Sequence, residues 1–62
     1  MTVKTAHGDI TATEEMLDML SDYLDEAATR YREKGYKGLA TQARNIATEI
    51  MGALTEIGYY QM

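Results

Sequence analysis

His7 carries the only imidazole of the chain, and it lies close before Asp9, Glu14 and Glu15. One ring nitrogen and three carboxylates suggest a divalent cation or an acid–base pair. A calcium loop, however, needs oxygen ligands at the ordered spacing D-x-[DN]-x-[DN]-G, which this stretch lacks. With no cysteine and one histidine, a tetrahedral zinc site cannot be assembled from one chain. No nucleophile stands beside His7 in a recognisable motif, and the glycine patterns of phosphate loops, dinucleotide folds and hydrolase elbows are missing. The sequence therefore predicts no catalytic residue, no metal and no cofactor. It reads as a protein that binds and does not catalyse.

Three groups of residues are candidates for that binding. The first is acidic: Asp9, Glu14, Glu15, Asp18, Asp22, Asp25 and Glu26 follow one another without an intervening base, whereas Arg30, Arg32, Lys34, Lys37 and Arg44 come later with only Glu33 among them. Such segregation follows a helix dipole, acids first and bases last, and keeps a face solvated. It would equally make Asp18, Asp22 and Asp25 a rod that mimics nucleic-acid phosphates or meets a basic protein. The second group is a ridge of small uncharged residues, Thr41, Asn45, Thr48, Gly52 and Thr55, where Lys and Glu are usual. Gly in mid-helix costs roughly 0.8–1 kcal/mol relative to Ala, so either packing elsewhere tolerates the ridge or a partner docks on it. The third is Tyr59 and Tyr60 beside the C-terminus, which pack against the arm or form a recognition tip.

These residues need scaffolding, and the apolar periodicity supplies two helices. Thr13 is a good N-cap ahead of Glu14 and Glu15, with Thr11 and Glu14 as an alternative capping box. Met16, Leu17, Leu20, Tyr23, Leu24, Ala27, Ala28 and Tyr31 recur at helical spacing, and Gly35 suits the left-handed C′ position. The second helix carries Leu39, Ala43, Ile46, Ala47, Ile50, Leu54 and Ile57 and stops at Gly58. The division is an arm over 1–12, a hairpin over 13–58 with helices over 13–34 and 39–57, and a tail over 59–62. A short link makes the helices antiparallel. The arm, with its turn-like Gly8-Asp9, is expected to be extended or poorly ordered unless it docks, because an isolated two-stranded hairpin is unstable in water.

Adding Ala40, Met51 and Ala53 widens the apolar arc of the second helix to about 160°, more than one partner helix covers. At 62 residues folding hides only about 60% of the unfolded surface, and disulfides are excluded. The expected fold class is therefore all-α, a two-helix hairpin with a short extended arm that forms a homodimeric four-helix bundle. This is similar in plan to Rop, the plasmid copy-number protein, also a dimer of short helical hairpins. Residues 35–47, GYKGLATQARNIA, resemble part of a tetratricopeptide repeat over about half a repeat, too little to stack.

A formal charge of −4 argues against general affinity for phosphate backbones. The expected partners are thus a second copy and an unidentified protein. Nucleic acid remains the alternative, bound by the basic patch of two chains. No apolar run approaches the ~20 residues of a membrane span, and the N-terminus lacks a signal-peptide core, so a cytoplasmic protein without a membrane partner is expected.

Overall fold

The computed structural model describes residues 1–61. Met62, the last residue of the expected tail, lies outside the described residues. The element order is β1 (Thr2–Thr5), β2 (Gly8–Thr11), α1 (Glu14–Glu33) and α2 (Lys37–Glu56). Both helices have 20 residues, about 30 Å at 1.5 Å per residue, and they pack against each other as a hairpin.

The arm is a β-hairpin. β1 and β2 pair antiparallel with Val3 opposite Ile10 and Thr5 opposite Gly8. The reversal falls on Ala6-His7, two residues before the expected Gly8-Asp9, and Gly8 takes a positive φ of 125°. Thr5 fixes it: its hydroxyl donates to the Gly8 carbonyl at 2.7 Å and accepts the His7 N–H at 3.1 Å. At the open end the Met1 ammonium donates to the Ala12 carbonyl and the Ala12 N–H returns the bond to Met1, both at 3.0 Å. Such a hairpin stands because it docks. Val3, 3% exposed, enters a cluster with Leu17, Ile50 and Leu54, and Ile10 and Ala12 pack on its margin. Glu49 of α2 also accepts the Ala6 N–H at 3.2 Å.

α1 begins as the sequence indicates. The Thr13 hydroxyl accepts the Met16 N–H at 3.2 Å, and Thr11 belongs to β2, so the alternative capping box does not form. α2 starts at Lys37, earlier than expected, because Gly35 (φ 87°) reverses the chain within three residues and Gly38 is carried in the first turn. That turn has no side-chain cap and no acid.

The core is graded along the hairpin. Leu17, Ile50, Leu54 and Val3 fill the end beside the arm, whereas Ala28, Ala40 and Ala43 are the buried residues toward the loop, with Ala47 between. Small side chains at a helix crossing permit close backbones but bury little apolar surface. Ser21 is also buried, at the Leu17–Leu24 spacing, and its hydroxyl donates to the Asp18 carbonyl at 2.7 Å.

Two expectations about the core need correction. Most of the broad apolar arc of α2 is covered within the chain, by α1 and by β1, with Ile46 and Ala53 packed against the core cluster, while Leu39, Met51 and Ile57 remain exposed. The greater part of its breadth is thus used within the chain, by the arm, which the wheel alone does not bring in. Conversely, α1 is not covered as expected: Met16 is 59% and Tyr23 65% exposed. The buried line runs through Leu17, Ser21 and Ala28, with Leu24 half-buried between them, which turns Met16 and Tyr23 off the interface toward the outer face.

Candidate interaction surfaces

The small-residue ridge lies where the sequence places it, exposed along α2 on Thr41, Asn45, Thr48, Gly52 and Thr55. Thr48 and Thr55 donate their hydroxyls to the carbonyls of Arg44 and Met51, at 2.9 and 2.8 Å, so part of the ridge's polarity is spent within the helix. Gly52 borders an open groove between β1 and α2, together with Thr2, Val3, Lys4, Glu49, Ala53 and Glu56. A Cβ on Gly52 would meet no atom within 4 Å. Nothing among the described residues therefore requires glycine there.

The acidic face is partly engaged. Asp18, half-buried, accepts the Tyr60 hydroxyl at 2.8 Å, and Asp25 pairs with Arg44 of α2 at 3.5 Å. Asp22 is exposed and forms no ion pair among the described residues. The three carboxylates thus do not act as one free row: two of them fasten α1 to α2 and to the C-terminal segment.

The tyrosine pair is built by the end of α2. Gly58, with φ 77°, donates its N–H to Thr55, and Tyr59 donates its N–H to Leu54, each at 3.0 Å. This six-residue closure throws Tyr59 back onto the core cluster beside Leu54. Tyr60 stands edge-to-face on it, 5.2 Å between centroids, and remains half exposed. Partial burial raises the Tyr59 pKa above 10.0, and the charges of Asp18, Glu15 and Glu14 add to the shift. Tyr60 is raised in the same direction, by burial first and then by its hydrogen bond to Asp18 and that carboxylate's charge. Tyr59 packs while Tyr60 stays partly open to solvent.

His7 does not join the acids. Its Nδ1 lies 3.4 Å from the Gln42 amide nitrogen, at the tip of the arm on α2. Among the described residues no three His, Asp or Glu side chains converge as metal ligands. No helix among the described residues is long and apolar enough to cross a membrane.

Sequence reasoning missed an exposed apolar line on α1. Met16, Met19 and Tyr23 run along the outside of α1, with Met19 70% exposed, and they continue toward a cleft lined by Tyr23, Ala27, Arg30, Tyr31 and Lys34. Tyr36 and Leu39 add exposed apolar surface at the loop. The signal was present: Met19 falls outside the assigned core face, and with Met16 and Tyr23 it makes a second apolar line at spacings of three and four.

Comparison with known proteins gives no match: no family model, no curated protein and no solved structure is significantly similar to this chain.

Proposed function

We propose that the chain is a small interaction protein, a helical hairpin that self-associates and binds a protein partner rather than carrying out catalysis. The observation that supports this most is the exposed line of Met16, Met19 and Tyr23 on α1. The accessible surface, 4535 Å², exceeds the about 4,000 Å² that size scaling gives for a 7.0 kDa monomer. The excess and the apolar line together favour an assembly that covers α1, in the form of a homodimeric four-helix bundle. The ridge on Thr41, Asn45, Thr48, Gly52 and Thr55 then stays open for the protein partner. Light scattering on a sizing column over a wide concentration range tests the assembly, with twice the chain mass expected. A monomer at every concentration overturns it.

The loop end supports a second reading, a nucleic-acid-binding dimer. Arg30 and Lys34 border the cleft between Tyr23 and Tyr31, where a base would stack beside cations. Titration with single-stranded and duplex RNA and DNA at low salt decides it: salt-sensitive binding supports this reading, and no binding ends it.

A further inference from the structure

We infer that the second copy packs on the outer face of α1, antiparallel, about a two-fold axis beside Tyr23. The inference rests on the self-association proposed above and specifies its face and direction.

The row Met16, Met19, Tyr23, Ala27, Arg30 advances by three or four residues at each step and keeps to a stripe about 80° wide at 3.6 residues per turn. Tyr23 stands near the middle of the Glu14–Glu33 helix. The halves on either side of it are unlike, with large apolar Met16 and Met19 before it and small Ala27 and basic Arg30 after it. Parallel packing would set Arg30 against its own copy and the acidic first turns against each other, and like charges in register are unfavourable. Antiparallel packing removes both conflicts.

The spacing then matches unlike residues. Met19 and Ala27 lie equally far from Tyr23, four residues to either side, so a long side chain of one copy meets a small one of the other. Met16 and Arg30 are likewise each seven residues away. The Met16 thioether would lie on the aliphatic stem of the other copy's Arg30, whose guanidinium reaches the acidic first turn holding Glu14 and Glu15. Arg30 is available for this, because its contact with Glu26 is 3.9 Å between two largely exposed side chains, a pair of little strength. Tyr23 meets its own copy on the axis, as a two-fold interface requires of its central residue.

Because the chain has no cysteine, each introduced thiol is unique. Tyr23→Cys should give a disulfide-linked dimer on oxidation with oxidised glutathione, since Cα atoms facing across such an axis fall near the about 4.4–6.8 Å span a disulfide allows. Met19→Cys mixed with Ala27→Cys should cross-link in the mixture far more than either variant alone, and this pair leaves Tyr23 in place. Met16→Cys alone should not link to itself, and Thr48→Cys, on the ridge of α2, serves as the control. Each variant is also weighed in solution before oxidation. Dimer mass with the Tyr23 and mixed Met19/Ala27 cross-links supports the inference. If the mass is dimeric but the links form through Met16 to itself or through Thr48, or if none forms, the face or direction is wrong and self-association stands. Monomer mass throughout overturns both.

Discussion

Lys34-Gly35-Tyr36 and Ile57-Gly58-Tyr59 end the two helices by the same device in different surroundings. Gly35 donates to Arg32 at 3.1 Å and Tyr36 to Tyr31 at 2.8 Å; Gly58 donates to Thr55 and Tyr59 to Leu54, both at 3.0 Å. Each pair is the backbone closure of a left-handed glycine followed by a residue that folds back on the last turn. At α2 that residue meets Leu54, fully buried under the arm, whereas at α1 Tyr36 meets Tyr31 edge-on at 6.4 Å and both rings reach solvent. The same local chemistry therefore seals a core at the arm end and only ends a helix at the loop end. Where the stability of this hairpin lies is decided by what stands beneath each cap.

The largest effect should come from the core beneath the α2 cap. Leu54→Ala is expected to cost about 2–5 kcal/mol, enough in so small a protein to remove most of the cooperative unfolding transition followed by circular dichroism. Leu39→Ala, at the loop end and half exposed, should change stability by less than about 0.5 kcal/mol. Equal losses at the two sites would mean that the loop end is also covered, which in a hairpin of this geometry requires another chain.

The grading was only partly legible in the sequence. Thr13 and Gly35 mark their helix ends through chemistry that acts within one turn, and the structure keeps both. Leu17, Ala43, Ala47, Ile50 and Leu54 follow from period alone. The docking of the arm was not legible, because Val3 reaches Leu17, Ile50 and Leu54 across more than ten residues of chain and no local rule connects them. Period alone, without that contact, leaves α2 with more apolar arc than one helix covers and gives α1 a complete inner face. Ser21 was missed because its hydroxyl is satisfied by the helix itself, at Asp18, which lets a polar residue occupy a core position. Of the candidate surfaces, the small ridge needed only the wheel to be found. The engagement of Asp18 by Tyr60 needed the turn at Gly58, which the sequence marks only as a stop.

The two glycines sharpen the comparison at the next scale down. Either Gly35→Ala or Gly58→Ala forces a side chain into the left-handed region, at a cost of about 1–2 kcal/mol. Gly58→Ala should be the worse of the two, because its turn throws Tyr59 onto the core cluster; the added Cβ is unobstructed at either site, making only ordinary contact with Gln61 at 3.4 Å. Thermal midpoints of the two variants measured together give the order. Gly52→Ala should act oppositely and stabilise by about 0.8–1 kcal/mol, because it is helical, exposed and unobstructed. A loss of stability there would show that the groove beside β1 is tighter than its open lining indicates.

The smallest effect concerns the last contact at the sealed end, Tyr60 on Asp18. Both Tyr59 and Tyr60 have folded pKa values raised above 10.0, so folding favours their protonated forms. The sign follows: their contribution is complete below pH 10.0 and is lost as the pH rises through the higher folded values. Unfolding midpoints in urea, taken from about pH 9 to about pH 11.5, should fall with pH more steeply for the wild type than for Tyr60→Phe. Tyr60→Phe also loses the 2.8 Å bond to Asp18, so its midpoint should start lower and converge on the wild type at high pH, where the ionised phenol can no longer donate. No gap at any pH in that range would mean that the hydroxyl contributes nothing and that Tyr60 holds the end through its ring, which Tyr60→Phe keeps edge-to-face on Tyr59.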